Sequence, residues 1–278
     1  MNLQPAAQPV RDMSPVAVPR YSTPGLSVQW ARCEDDVRQA QALRYRVFSM
    51  EMGASLPPVH GAAPGLDADA FDPFCDHLLV RLASADGQAE EAGELVGTYR
   101  VLPPDAARRA GGLYIDTEFD TARLLTLRPK AVELGRSCVH PSWRSGGVIL
   151  ALWGALCHYM FLHRLETMIG CASVGLKHGP QTAVSLWHDL RTSHLVHPEW
   201  QVLPWKPLPL QNGEACLASG QDVLLHAVTP PLIKGYLRCG TKLLGPPALD
   251  QAFNTADLPM MLRIEDLTPR YRRHFLGH

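Results

Sequence analysis

Hydrophobic and polar positions change their period as the chain runs from residue 132 to residue 160, and this change is the most informative pattern in the sequence. Val132, Leu134 and Cys138 alternate with Glu133, Gly135 and Ser137, the period of two expected of a strand. His140-Pro141 ends the strand, because proline has no N–H to give to a sheet ladder. Ile149, Leu152, Trp153, Leu156, Tyr159 and Met160 then recur at helical spacing. Between the two lies Arg144-Ser145-Gly146-Gly147. A strand, a glycine turn and a helix start together form an anion cradle, since free backbone N–H groups and the positive end of the helix dipole converge on one spot.

Upstream, Glu34-Asp-Asp supplies the acidic first turn of a helix. Its apolar positions are Val37, Ala40, Leu43, Val47 and Met50, and Gly53 sits where a C-cap belongs. On that helix Arg44 and Phe48 share a face. Residues 54–70 are rich in Pro, Gly and Ala and predict a mobile loop. His77–Leu82 and Glu94–Leu102 predict paired strands. Arg100 breaks the apolar run of the second, and a charge there needs a partner or a ligand. Downstream, Thr167–Val174 predicts a strand and Pro180 the N1 position of a helix through Leu190. Val223–Val228 predicts a strand, Pro231–Cys239 a helix closed by Gly240, and Lys242–Leu244 and Met260–Ile264 further strands. The basic tail Arg270-Tyr-Arg-Arg-His predicts a solvated turn, or a contact for an acidic protein or lipid headgroups. This order of elements gives an α/β (α+β) domain, a mixed sheet flanked by helices, over residues 26–278. Residues 1–25, proline-bearing and aperiodic, predict a disordered arm.

Composition narrows the function classes. A formal charge of −1 over 278 residues carries no field for nucleic acid. The seven cysteines are scattered without C-x-x-C, as in a protein of a reducing cytoplasm. The longest apolar run, Val148–Cys157, is too short for a bilayer, and residues 1–24 lack the apolar block of a secretory leader. A cytoplasmic protein, at most peripheral on a membrane, is expected. The histidines show no ligand spacing, so no metal is expected. The acidic stretch Asp67-Ala-Asp69-Ala-Phe-Asp72-Pro-Phe-Cys-Asp76 lacks the closing glutamate of a calcium loop. Glu133 and Arg136, beside the cradle, place a carboxylate and a guanidinium where chemistry on a phosphorylated carrier would occur.

Several ordered segments resemble known families. Leu43-Arg-Tyr-Arg-Val-Phe48, Asp69-Ala-Phe-Asp72, Gly97-Thr-Tyr-Arg-Val-Leu102 and Glu133-Leu-Gly-Arg136 resemble the acyl-homoserine-lactone synthases, a branch of the GNAT N-acyltransferase fold. The matching positions are Arg44, Phe48, Asp69, Asp72, Arg100, Glu133 and Arg136. The chain departs at Ser137, where those synthases usually carry an aromatic. A closer resemblance is to the bacterial L-ornithine N-alpha-acyltransferases, which make lyso-ornithine lipid. It rests on Asp72-Pro-Phe-Cys-Asp-His77, Glu133-Leu-Gly-Arg-Ser-Cys-Val-His-Pro141, Gly170-Cys-Ala-Ser173, Pro230-Pro-Leu-Ile-Lys-Gly-Tyr236 and Phe253-Asn-Thr-Ala-Asp257.

The resemblance implies transfer of a 3-hydroxyacyl chain from acyl carrier protein to the α-amine of ornithine. No cofactor is tightly bound; the donor is the phosphopantetheine arm of the carrier. Glu133 is then the base that takes a proton from the α-ammonium. Backbone N–H groups around Ser137–Val139 hold the oxyanion. Arg144, Ser145, Gly146 and Gly147 seat the phosphate. Arg44, Arg100 or Arg136 forks onto the amino-acid carboxylate, while Phe48 and Ser173 line the substrate site. One acid of Asp69, Asp72, Asp76 and Asp257 reads the side-chain ammonium. Two other functions fit the same features: acylation of a different amine, or a non-catalytic module that senses acyl groups or CoA.

Overall fold

The computed structural model describes residues 25–55, 63–83, 93–209 and 229–276. The expected arm before Gly25 and the expected strand Val223–Val228 lie outside the described residues. Strand β1 (Leu26–Trp30) leads into helix α1 (Glu34–Tyr45), which the π-turn Arg46–Glu51 extends to a C-cap at Met52, one residue before the expected Gly53, whose φ is 79°. The sheet continues with β2 (Asp76–Leu82) and β3 (Leu95–Leu102), followed by helix α2 (Pro104–Ala110) and the short strand β4 (Phe119–Asp120). Then come β5 (Ala131–Val139), α3 (Gly147–Leu162), β6 (Thr167–Gly175), α4 (Gln181–Leu190) and β7 (Leu203–Pro204). The last part holds α5 (Pro231–Cys239), β8 (Lys242–Leu243), β9 (Ala248–Asp250), β10 (Thr255–Arg263) and α6 (Pro269–Leu276). None of the described helices is long and apolar enough to cross a membrane.

The main sheet runs β1-β2-β3-β5-β6-β10-β8, with β9 also on β10, and β4 pairs separately with β7. Every pairing in the main sheet is antiparallel except β5 with β6. This is the mixed sheet expected. Helices cover both faces, which is why β2 is apolar almost without alternation. Leu78 and Val80 pack with the Leu152 and Leu156 side of α3, whereas Leu79 packs with Ala40 of α1. Helices α4 and α5 close the far half over Ala256, Leu258 and Met260 of β10.

Four elements differ from the sequence-based expectation. Helix α1 gives way to a π-turn, in which Met52 N–H donates to Val47 O five residues back, and of the pair expected on one face Phe48 lines the cavity described below whereas Arg44 does not. Pro180 is the N-cap of α4 and not its first residue. Strand β10 begins at Thr255, five residues before the expected start, because Pro259 and Asp257 disguise its apolar run. The basic tail is neither a free turn nor wholly solvated. It forms α6, with Phe275 in the core beneath α3 and Arg272 donating to the carbonyls of Ile264 and Glu265.

The expected mobile loop ends firmly. Asp67 N–H donates to Gln41 O, and the Asp67 carboxylate lies 2.9 Å from Nε of Arg44. Arg44 is 1% exposed, and its Nη atoms reach both oxygens of Asp72 at 2.8 and 3.0 Å. Asp72 is shared with Arg100 at 3.0 Å, and Arg100 also reaches Asp69 at 2.6 Å. Arg136 then binds Asp69 at 3.0 Å. Burial opposes the charge on Asp72, but Arg44 and Arg100 hold its carboxyl well below the usual range. Arg44 therefore braces α1 against the acidic stretch instead of reaching a substrate carboxylate. Asp72 is taken up in the same way, and Asp76 accepts from the Tyr159 hydroxyl.

Replacing Arg44 by Met is expected to destabilise the fold by about 3–5 kcal/mol, because buried Asp67 and Asp72 lose the guanidinium that engages them most fully and keep only their single contacts with Arg136 and Arg100. A urea unfolding curve measures this. A shift below about 1 kcal/mol, the size of an exposed ion pair, would contradict this bracing role.

Candidate functional site

Strands β5 and β6 pair only over Ala131–Glu133 and Thr167–Ile169. Beyond that point β5 stays with β3 up to Val139, and β6 stays with β10 up to Gly175, so the sheet opens as a fork. At the crotch, a Cβ on Gly170 would stand 2.3 Å from the Leu134 carbonyl oxygen; only glycine allows this approach. A cavity of about 610 Å³ fills the fork. One wall carries Glu133, Arg136, Ser137 and Val139 of β5, and the other Cys171 and Ser173 of β6.

Strand β5 is bulged at the centre of this wall. Thr98 pairs with Cys138 and Arg100 with Gly135, so Arg136 and Ser137 together face the single residue Tyr99. Arg136 has a φ of 51°, a left-handed conformation costly for a residue with a Cβ. Its guanidinium is fixed from several sides: Asp69 takes Nη2, and the rings of Phe253 and Tyr114 lie 4.4 and 5.1 Å from its central carbon. A bulge leaves ladder groups unpaired, so the wall at Ser137 offers backbone donors to the cavity. The alternation in the sequence ran smoothly through this bulge and gave no sign of it.

Glu133 stands at the root of the fork, 5% exposed. Its two oxygens accept from the backbone N–H groups of Tyr114 and Ile115 at 2.6 and 2.7 Å. Burial pushes its carboxyl up to about 7, although these N–H groups and Arg100 pull the other way. The side chain is thus interior yet still part of the cavity wall, with Arg144 and Gly146 lining the same space.

The cradle has the expected form. Gly146 is the N-cap of α3 with φ 102°, which explains a glycine there, and the first N–H groups of a 16-residue helix face outward without intrahelical partners. Ser145 and Gly147 lie in this turn but not in the cavity lining. The Arg144 fork is occupied: Nη1 and Nη2 bind the two oxygens of Glu51 at 2.6 and 2.8 Å. An anion arriving at the helix start must therefore displace Glu51.

Two features of the site escaped the sequence reading. The hydroxyls of Tyr99 and Tyr236 are 2.6 Å apart, with the Ser137 hydroxyl in hydrogen-bonding reach of both. Burial raises both phenols. They come from β3 and α5, 137 residues apart, a separation at which spacing carries no signal. The second is an acidic corner, where oxygens of Glu118 and Asp257 and the Cys171 sulfur lie within 4.8 Å of one another. Of the acids proposed for an ammonium, Asp257 lines the cavity, whereas Asp69 and Asp72 are bound to arginines.

Residues 43–154 match the acetyltransferase (GNAT) domain family. The chain is 37% identical over 259 residues to the L-ornithine N(alpha)-acyltransferase of Rhizobium meliloti (strain 1021), covering 90% of this chain and 84% of that protein. It is 38% identical over 261 residues to the enzyme of that name from Brucella abortus (strain 2308), covering 90% and 88%. Among solved structures the fold is similar to that of the acyl-homoserine-lactone (AHL) synthase LasI, with a TM-score of 0.50 at 14% identity over 91% of this chain and 95% of that one.

Gly170→Ala is expected to force Leu134 away from β6 and to lower stability by about 1–3 kcal/mol, the cost of overpacking a tight site. The denaturation midpoint reads this directly, and an unchanged midpoint would mean that the crotch of the fork is not held closed.

Proposed function

The chain belongs to the L-ornithine N(alpha)-acyltransferase family, and we propose that it transfers an acyl chain from a phosphopantetheine thioester, carried on acyl carrier protein, to the α-amine of L-ornithine. The observation that carries this reading is the placement of Glu133, raised to about 7 by burial, in the same cavity wall as the bulge and the start of α3.

In this reading the phosphate of the arm takes the place of Glu51 on Arg144 and the N–H groups of α3. The thioester then lies along the fork. Arg136 presents its fork to the amino-acid carboxylate, with Arg100 behind it. Glu133 takes a proton from the α-ammonium, directly or through a water, and the freed nitrogen attacks the thioester carbon. Backbone N–H groups at Ser137–Val139 stabilise the oxyanion, an interaction worth about 3 kcal/mol per donor. As the C–S bond breaks, the Tyr236 hydroxyl, kept protonated by burial and bonded to Tyr99, gives a proton to the thiolate and is restored by the second proton that the attacking nitrogen sheds on becoming an amide, while the first stays on Glu133 until it passes to solvent. Phe48 and Ser173 complete the walls. A hydroxyl on carbon 3 of the chain is part of this proposal. So is a peripheral contact with lipid: Met52 and Leu150 line the cavity and are 46% and 40% exposed, an apolar lip over which a lipid product can leave.

Three outcomes test this. Glu133→Gln lowers kcat by about 10²–10⁴-fold, the contribution of a general base. Because a base works deprotonated, wild-type kcat/KM falls as pH drops below about 7, and the variant lacks this limb. A rate within about threefold of wild type would place the base elsewhere. Arg144→Ala raises the KM for acyl carrier protein by about tenfold, the size of one charge-assisted hydrogen bond; steady-state kinetics against carrier concentration would show it. An unchanged KM would remove the phosphate from this turn.

A further inference from the structure

The charges of the acidic corner are not balanced by ion pairs. Asp257 is 4% exposed. Its partners are hydroxyls: Thr255 Oγ1 donates to Oδ1 at 2.8 Å, and the Ser173 side chain also bonds to it. Among the described residues no Lys, Arg or His forms an ion pair with Asp257, Glu118 or Asp250. Yet Glu118 lies within 4.8 Å of Asp257, and Asp250 acts on both carboxyls electrostatically. Burial raises both, and the neighbouring negative charges push in the same direction, while Arg136 pulls Asp257 the other way from beyond ion-pair distance. Two or three carboxylates in a half-buried corner without a paired cation are costly unless a proton or an external cation completes them.

The corner opens into the cavity through Asp257 and Asp250, with Glu118 standing behind them. Tyr114 connects it to the opposite charge: its ring lies 5.1 Å from the Arg136 guanidinium, and its side chain acts on Glu118, favouring the carboxylate. One end of the polar half of the cavity is therefore cationic and the other anionic, separated by about one phenol. An amino acid with its carboxylate on Arg136 and a short side chain ending in an ammonium spans that separation. A neutral side chain would leave the corner uncompensated.

We infer that Asp257, backed by Glu118, is the side-chain ammonium subsite and selects a short diamino acid over its uncharged isostere. This rests on the proposed acyl transfer, whose α-amine it helps to orient, and it narrows the four acids considered from the sequence to one.

The test compares L-ornithine, L-lysine and L-norvaline as acceptors for the full chain with acyl carrier protein thioester. Norvaline has ornithine's carbon skeleton without the ammonium. Wild type is expected to favour ornithine over norvaline by about 10²-fold or more in kcat/KM, as a buried polar site rejects a substrate that leaves it unpaired. Asp257→Asn brings that ratio towards one, mainly by raising the KM for ornithine. Glu118→Gln, a change outside the cavity lining, lowers the ratio less and serves if the Asn variant does not fold. A ratio that survives both substitutions, or equal loss on the two substrates, overturns the subsite. Calorimetric titration of ornithine and norvaline, without donor, separates this inference from the activity. Binding that requires the ammonium and Asp257 supports the subsite even if acylation of ornithine fails; equal binding of the two overturns it. Activity lost to a chelator and restored by zinc would make the Glu118–Cys171–Asp257 group a metal site and would equally overturn it.

Discussion

Everything near the cavity depends on the chain of alternating charges Arg44–Asp72–Arg100–Asp69–Arg136. Burying isolated charges is expensive, and pairing repays the cost only where each partner is fully engaged. Here one residue of α1, the acidic stretch before β2, one residue of β3 and one of β5 are each required by the next. Only the far end of the chain reaches the cavity, through Arg100 and Arg136, and Arg136 stands in its wall in a left-handed conformation that the surrounding pairs and rings enforce. Stability and positioning are the same interaction, seen from opposite ends.

The charge chain also accounts for the part that sequence patterns got wrong. The arginines and aspartates that match the family motifs look like a set of ligand contacts, yet of these Arg44, Asp69 and Asp72 lie outside the cavity lining, and Arg100 and Arg136 line it. Arg44 and Asp72 are among the most buried polar side chains in the protein. A residue's recurrence in a motif does not tell whether it touches substrate or holds the residue that does. Only burial and partners settle that, and neither is written in a single sequence.

What the sequence did reveal was local. Period two followed by period 3.6 around two glycines identified β5, the turn and α3, and the acidic first turn identified α1. Glu133 and Arg144 were legible because they flank that turn. The bulge was not legible, since it needs the register of β3 against β5. The Tyr99–Tyr236 pair and the Glu118–Asp257 corner were not either, because each joins segments more than a hundred residues apart. Strand β10 was half hidden, as Pro259 argues against a strand interior, yet its carbonyl still accepts from Leu244 N–H.

The fork explains why these pieces converge. A continuous parallel sheet would pair β5 and β6 throughout and leave no donor free and no room between them. Splitting after Glu133 gives up ladder bonds on both strands, while β5 stays paired with β3 from Glu133 to Val139 on either side of the bulge and β6 with β10 over its full length. The ladder between β3 and β5 is itself interrupted at Arg136 and Ser137, so the bulge adds to what the split leaves unpaired. The carboxylate at the root of the split is in turn anchored by two N–H groups from the turn at Tyr114 and Ile115, so it cannot swing into the cavity as a free side chain would. A carboxylate held this rigidly, with its proton affinity raised by burial, suits the role of base proposed for it. The catalytic reading thus follows from a defect in the sheet: the place where strand pairing stops is also where polar groups are left with something to do.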